Sequence, residues 1–513
     1  MNAPHKPTAP PRDGLASTAA PRQPWRLPAG GRIDRSRAIG FTFDGRRFPG
    51  HPGDTLASAL LANGVRLVGR SFKYHRPRGI LSAGVEEPNA LVELRGGARR
   101  EPNTRATQVE LFEGLEARSQ NRWPSLAFDL GAVNGLFGPL LAAGFYYKTF
   151  MWPASFWEKL YEPLIRRAAG LGRAPEGADP DRYERTHLHC DVLVVGGGPA
   201  GLMAALAAGR AGARVALVEE DAQLGGRLLA EAEEVDGSAG ADWAARVEAE
   251  LAALPRVTIL RRTAAFAVLD GGVVAAVERV SDHLPEPPAH LPRQRYWKIV
   301  ARRVLLAAGA IERPVVFGGN DRPGVMLAGA VRGYLNRFAV LPGRRAVVFT
   351  AGDDGWRSVA DLTRAGARIE AVVDARAEVP AAQVRLAERL GARLIAGGRV
   401  LGTQGGLHLA AVRFADAAGR EDGAGADLLA MAGGWNPSLH LACHLGHRPR
   451  WDEAIHAFVP DALPQGMQVL GAAAGRFSTQ AALADGAREG AAAAAECGFA
   501  GASPPVPRAE DAP

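Results

Sequence analysis

Three glycines and an acid stand at the spacing of a phosphate cradle. Asp191-Val-Leu-Val-Val195 reads as a short apolar strand that runs directly into Gly196-Gly-Gly198-Pro199-Ala200-Gly201, followed by an alanine-rich helix from Leu202 to Ala211. A second strand, Arg214 to Val218, ends at Glu219-Glu220. The chemistry explains the order. Gly196 permits a tight turn, Gly198 lets a pyrophosphate approach the backbone, and Gly201 lets the helix pack close to the strand, whose helix N-terminus then faces the phosphates. Glu219 is placed to accept hydrogen bonds from an adenosine ribose, and an acid there disfavours a ribose 2′-phosphate. NAD or FAD is expected rather than NADP, with Gly225-Gly226-Arg227 closing over the phosphates.

Further along, Arg303-Val-Leu-Leu-Ala-Ala308-Gly309 is an apolar strand with a small-residue turn. It resembles the Ala-Thr-Gly strand of two-dinucleotide-domain flavoprotein oxidoreductases, with Ala308 at the usual Thr. Arg345 to Thr350 and Ile369 to Val373 begin a second unit of the same kind, but its turn places Asp353 and Asp354 where phosphates would lie. That unit is expected to be structural. Gly466-Met-Gln-Val-Leu-Gly471-Ala472 resembles the closing Gly-Asp strand of these flavoproteins, and Ala472 replaces the Asp that holds a flavin ribityl chain. This favours NAD over FAD. A basic loop, Arg70, Lys73, His75, Arg76 and Arg78 interleaved with Phe72, Tyr74 and Pro77, is expected to pack against a nucleotide phosphate or an acidic partner face, at the cofactor or subunit junction.

These motifs need a scaffold of several domains, since single cores stop growing near roughly 250–300 residues and this chain has 513. The expected divisions are a flexible tail (1–31), a hairpin–helix–loop–strand block resembling a ferredoxin-like β-grasp (32–115), and an aromatic-rich connector (116–186). A dinucleotide-binding domain (187–340 with 460–500), a degenerate second one (341–459) and a tail (501–513) follow. Sixty-one Lys plus Arg against 54 Asp plus Glu give a net charge of +7, mild for this length, and no nucleic-acid recognition motif accompanies it. Three cysteines without a Cys-x-x-Cys spacing exclude a disulfide framework, a Cys-rich zinc site and a dithiol centre. They suit a reducing cytoplasm. The uncharged run Leu130–Tyr147 holds Asn134, Pro139 and four glycines, which suits a packing segment better than a membrane span.

Longer strings carry a more specific resemblance. Gly69-Arg-Ser-Phe-Lys-Tyr-His-Arg-Pro-Arg-Gly79, Glu87-Pro-Asn-Ala-Leu91, Ser119-Gln-Asn-Arg-Trp-Pro-Ser125, Gly144-Phe-Tyr-Tyr-Lys-Thr-Phe150, Glu278-Arg-Val-Ser-Asp-His-Leu284, Pro292-Arg-Gln-Arg295, Asn320-Asp-Arg-Pro-Gly-Val-Met326 and Gly434-Trp-Asn-Pro437 resemble the α-subunit family of heterotetrameric sarcosine oxidases, from Arg32 to Gly498. The resemblance implies an α/β fold with two dinucleotide domains of Rossmann type, preceded by the ferredoxin-like domain. It implies NAD at Gly196, Gly198, Pro199, Ala200, Gly201, Glu219, Glu220, Gly225, Gly226, Arg227, Ala308, Gly309 and Gly471. It also implies FMN at the interface with a β subunit, FAD within that subunit, and γ and δ subunits completing the complex, so that no catalytic residue is expected here. Related dehydrogenases carry a [2Fe–2S] cluster on four Cys thiolates; the corresponding positions are Ser82, Glu87, Ala90 and Thr107, and no Fe–S cluster is expected. The aromatic stretch Gly144–Pro153 is the candidate contact with β. Family α chains continue into a folate-binding aminomethyltransferase-like domain, which, with this sequence ending at Pro513, is expected to be truncated, carried on a separate polypeptide or absent. An FAD-dependent subunit of a related amino-acid or opine dehydrogenase, and a non-catalytic nucleotide-holding scaffold, are the alternative readings.

Overall fold

The computed structural model describes residues 23–141, 144, 150–168, 170, 172–501 and 503–509. The first domain is a five-stranded sheet in the order Arg46–Gly50, Ile39–Phe43, Glu116–Ser119, Leu91–Leu94, Glu101–Arg105. Asp44 and Gly45 take positive φ and turn the first hairpin. Across this sheet lies the buried helix Leu56–Ala62, started by a capping box in which Thr55 and Ser58 exchange side-chain and backbone hydrogen bonds. It ends three residues before the expected Val65, because Gly64 turns the chain at positive φ.

The dinucleotide-type domain is a seven-stranded sheet built around Tyr183–Val195, with Val215–Val218 and Val257–Leu260 parallel on one side and Gln294–Leu306 on the other. Met467–Val469 extends it in parallel from the far end of the sequence. The second half of Tyr183–Val195 is fully buried, whereas its first half alternates toward solvent, so the last four residues of the expected connector, 183–186, are already strand. Two helices pack tightly behind the glycine turn. In Thr479–Glu496, a Cβ at Gly486 or Gly490 would overlap the carbonyls of Ala200 or Ala204 in Pro199–Arg210.

A second parallel sheet runs Val325–Leu327, Leu428–Ala432, Arg345–Thr350, Arg368–Asp374, Arg393–Ala396. The expected boundary at 341 is therefore too late. Val325–Leu327 and the helix Ala328–Asn336 belong to this second unit, and the unit hands back to the first through a two-stranded ribbon, Ala310–Glu312 against Trp435–Pro437. A single apolar core joins it to the ferredoxin-like domain, running from Phe41 and Leu60 to Val331 and Leu429.

Both expected tails are partly built in. Trp25 lies between the guanidinium groups of Arg66 and Arg344, and Arg26 makes a buried two-pronged ion pair with Asp54. Near the other end, Ala509 bridges to Val235 and Arg508 N donates to Asp236. The described part of Leu130–Leu141 is 3-10 helix, and no helix among the described residues is long and apolar enough to cross a membrane. Of the aromatic stretch Gly144–Pro153, residues 145–149 lie outside the described residues; Met151 and Trp152 are exposed.

Candidate dinucleotide site

The site grows from one turn. Val192–Val195 is buried on both faces, so the chain must leave the sheet sharply at its end. Gly196 does this at φ +105°, and a Cβ there would overlap Ala307 O. At Gly201 a Cβ would overlap Gly196 O, so the helix lies directly on the turn it follows. Gly198 differs: the nearest atom to its Cβ position is Gly226 Cα at 4.0 Å, and the space beyond is cavity. No side chain caps the helix Pro199–Arg210, and Pro199 occupies its first turn, leaving the remaining N–H groups directed at the cavity.

That cavity has a volume of about 1500 Å³. Of the residues named from sequence, Gly196, Gly198, Pro199, Ala200, Glu219, Glu220, Gly226, Arg227, Ala308 and Gly309 line it. The other three act behind the wall. Gly201 packs; Gly225, at φ +130°, donates its N–H to Gly197 O at 2.9 Å. Gly471, at φ +63°, abuts Ala200, and its N–H donates to the buried carboxylate of Asp485 at 2.8 Å. Ala472, at the flavoprotein Asp position, faces the cavity.

Glu219 sits at the end of Val215–Val218 with its Oε2 accepting from Gly197 N at 2.6 Å and its Oε1 from Asp221 N at 2.8 Å. Burial pushes its pKa up to about 7, against the pull of those two amides. Asp221 is also buried, but its two-pronged pair with Arg337, at 2.6 and 2.7 Å, more than offsets this and lowers its pKa. A consequence for pH follows. Between about 4.5 and 7 the folded protein holds a proton on Glu219 that the unfolded chain has released, so this group's contribution to stability falls as pH rises through that window and is level above it. A ribose diol donating to Glu219 needs the carboxylate. Adenine-nucleotide affinity is therefore expected to rise several-fold from pH 6 to pH 8, with proton release on binding; calorimetry in buffers of different ionisation enthalpy measures both.

The guanidinium of Arg227 does not reach over the cradle. It donates to Phe477 O at 2.5 Å and Glu231 Oε2 at 2.8 Å, inside a network in which Arg357 bonds Glu231 and Glu233. Asp353 and Asp354 of the second unit line the same cavity, neutralised by Arg376 at 2.8 Å and by Arg332 at 3.1 Å; Trp435 Nε1 donates to Asp354 at 2.6 Å. Sequence reasoning missed the opposite wall. Pro52–Thr55, Ala83–Glu86, Gln108 and Glu110 come from the ferredoxin-like domain, with Arg262 clamping Glu110 through two hydrogen bonds and Arg279 reaching Gln108 O and Glu220 O. No local pattern marks these residues, because each becomes part of the wall only when two domains dock.

The basic loop lies elsewhere and finds its anions within the chain. Arg70 donates to Leu126 O, His75 Nδ1 lies 2.7 Å from Asp129, and Arg76 and Arg78 pair with Asp321. Neither Arg70 nor His75 lines the cavity.

At the four positions compared with cluster ligands, Glu87 organises the loop. Its carboxylate accepts from the N–H groups of Leu81, Ser82, Asn89 and Ala90 at 2.7 to 3.0 Å. Thr107 Oγ1 donates to Gly84 O, and Tyr334 OH, from the second unit, donates to Ser82 O.

Residues 36–122 match the family model described as a 2Fe-2S iron-sulfur cluster binding domain, and residues 191–266 match that of FAD dependent oxidoreductases. These findings correct the cofactor expectation: the first overturns the expectation of no Fe–S cluster, and the second runs against the preference for NAD over FAD. The chain's cysteines are at 190, 443 and 497, so the matched segment supplies none of the thiolates such a cluster needs. In fold, the chain resembles the crystal structure of L-proline dehydrogenase from P. horikoshii, with a TM-score of 0.62 at 20% identity over 94% of this chain and 77% of that one. In sequence it is 56% identical, over 94% of its length, to the sarcosine oxidase subunit alpha of Rhizobium meliloti (strain 1021), of which it covers 48%. To the subunit alpha of Corynebacterium sp. (strain P-1) it is 42% identical over 93% of its length, covering 46% of that protein. The glycine turn, its acid and the two-unit fold thus occur in a chain that is homologous, over nearly its whole length, to sarcosine oxidase α subunits and that spans about half the length of those relatives.

Proposed function

We propose that this chain is the dinucleotide-binding component of a multisubunit oxidoreductase that oxidatively demethylates sarcosine with molecular oxygen as the oxidant, yielding glycine, hydrogen peroxide from the oxygen, and a one-carbon unit released with water as formaldehyde or passed to tetrahydrofolate as methylenetetrahydrofolate. The observation that carries the binding role is the Gly198 cradle, an opening that a Cβ would fill, at the N-terminus of an uncapped helix. The relatives' description as α subunits of sarcosine oxidase supports the complex and its substrate. A bound dinucleotide would supply a two-electron carrier. The chain's own residues bind and orient it: the amides after Gly198 face the pyrophosphate, Glu219 accepts the ribose hydroxyls, and Arg262 with Glu110 walls the cavity from the neighbouring domain. β, γ and δ subunits complete the proposed assembly, and three unpaired cysteines suit a cytoplasmic location.

Gly198→Val tests the binding role. A Cβ there meets nothing closer than Gly226 Cα at 4.0 Å, so the expected result is loss of at least nine-tenths of the dinucleotide released on denaturation, as read by mass spectrometry, with the thermal midpoint of nucleotide-stripped wild type. Full retention of nucleotide would place the cofactor elsewhere.

A further inference from the structure

Two of the longer sequence strings, 278–284 and 292–295, take no part in the phosphate cradle. They build a seam between the dinucleotide unit and the ferredoxin-like domain. Ser281 donates from N to Arg293 O at 3.1 Å and from Oγ to Pro292 O at 2.9 Å, which ties the two strings together. Arg293 then bonds Asp282 on its own side and Glu101 on the other. Arg262 holds Glu110 across the same seam at 2.5 and 2.8 Å. Arg279 makes the most telling link: its Nη2 donates to Glu220 O at 2.6 Å and its Nη1 to Gln108 O at 2.9 Å. One guanidinium thus joins the residue after Glu219 to the ferredoxin-like domain.

An order along the cavity follows. Gly198 marks the pyrophosphate and Glu219 the ribose, so the base of an adenosine lies one group further from the phosphates, toward the end that Gln108 lines. The backbone around Gln108 is fixed on both sides, by Thr107 Oγ1 donating to Gly84 O at 2.7 Å and Leu56 N donating to Val109 O at 2.8 Å. Its side chain is not. Among the described residues, the Gln108 carboxamide has no hydrogen-bond partner. The neighbouring cations are already committed, Arg279 to two carbonyls and Arg262 to Glu110. A carboxamide offers a donor and an acceptor side by side, which matches N7 and the N6 amine of adenine and mismatches a base with a carbonyl in place of that amine.

We propose that Gln108, a residue of the ferredoxin-like domain, selects adenine in the dinucleotide held by the neighbouring unit, pairing through its carboxamide with the N6 and N7 edge. This rests on the binding role given above to the Gly198 cradle. The test titrates the full chain, stripped of nucleotide, with ADP and with inosine diphosphate, which share ribose and phosphates and differ at that edge. Calorimetry is expected to show ADP binding about tenfold more tightly, the discrimination that one bidentate pair supplies. Gln108→Ala should cut the ratio to about twofold or less, with the melting of stripped wild type, because the bond to Arg279 is made by the main chain. Gln108→Lys should reverse the preference, since a cation pairs with O6 and N7 of hypoxanthine. A residue that only held the seam would change both affinities together and leave their ratio alone. Equal affinities in the wild type, or a ratio that neither substitution moves, overturn the role of Gln108 and leave the cradle standing; an unmoved ratio assigns the base to residues 263–265, which also line the cavity. Gly198→Val should abolish binding of both nucleotides. If it does not, or if neither nucleotide binds the wild type, the cradle reading falls and this inference with it.

Discussion

Gly201→Ala is expected to unfold the dinucleotide domain or lower its stability by about 3 kcal/mol or more, the upper range for overpacking a core. One methyl group does this because neither side of the contact can give. The added carbon overlaps Gly196 O, and that carbonyl belongs to a turn held at φ +105° against Ala307. Behind the helix, Gly486 and Gly490 already bring Thr479–Glu496 onto the backbone at Ala200 and Ala204, so the helix cannot retreat. Soluble yield and thermal melting should both fall, in contrast to Gly198→Val, which empties the site and leaves the fold. A Gly201→Ala protein melting within about a degree of wild type, where 1 kcal/mol typically shifts a large domain by roughly 2–4 °C, would show that the helix is free to move.

The second large effect is expected at Glu87. Glu87→Ala leaves four amide donors of the loop 81–90 without their acceptor, and each buried donor left unpaired costs about 1–3 kcal/mol. Water entering the gap recovers part of that, so the net loss should be about 3 kcal/mol or more. Burial raises the Glu87 pKa, while the four amides oppose the rise. Glu87→Gln keeps the volume but turns an N–H toward converging N–H groups, and should recover less than half of the loss. Thermal melting and amide exchange of residues 81–90 measure it. Unchanged exchange there would mean that Tyr334, bonded to Ser82 O, and Thr107 hold the loop without the carboxylate.

What the sequence revealed, and what it did not, divides along local and long-range determinants. Gly196, Gly198 and Glu219 were legible because strand, turn, helix and acid follow one another within thirty residues, and each acts on its immediate neighbours. Gly225 and Gly471 were legible as site glycines, but they shape the wall from behind. Arg227 illustrates the limit: its position at the cradle could be read, whereas its turn toward Glu231 and Phe477 depends on residues brought in by folding. Glu110 and Arg262 could not be read at all, since they are partners 152 residues apart, and Asp354 was read only within its own unit and not as a wall of this cavity. The same holds for Trp25 and Ala509, whose surroundings are Pro- and Ala-rich and carry no periodicity, yet which bind to surfaces formed elsewhere in the chain. The basic loop was expected to face a nucleotide phosphate or an acidic partner face, whereas His75 meets Asp129 and Arg76 and Arg78 meet Asp321 within the chain, which composition could not reveal.

The tight seating of Thr479–Glu496 against the cradle helix also bears on how the molecule is made. The glycine turn leaves the ribosome early, but Met467–Val469 and the helix that backs it are synthesised only after the whole second unit. Domains generally fold as units, N-terminal first, while long-range pairings close slowly. The second unit can therefore mature on the ribosome while the nucleotide cradle waits, with the apolar strand Val192–Val195 and the underside of Pro199–Arg210 uncovered. Nascent chains stalled before residue 479 should bind chaperones and no nucleotide, so that capture of the proposed dinucleotide waits for the synthesis of Thr479–Glu496.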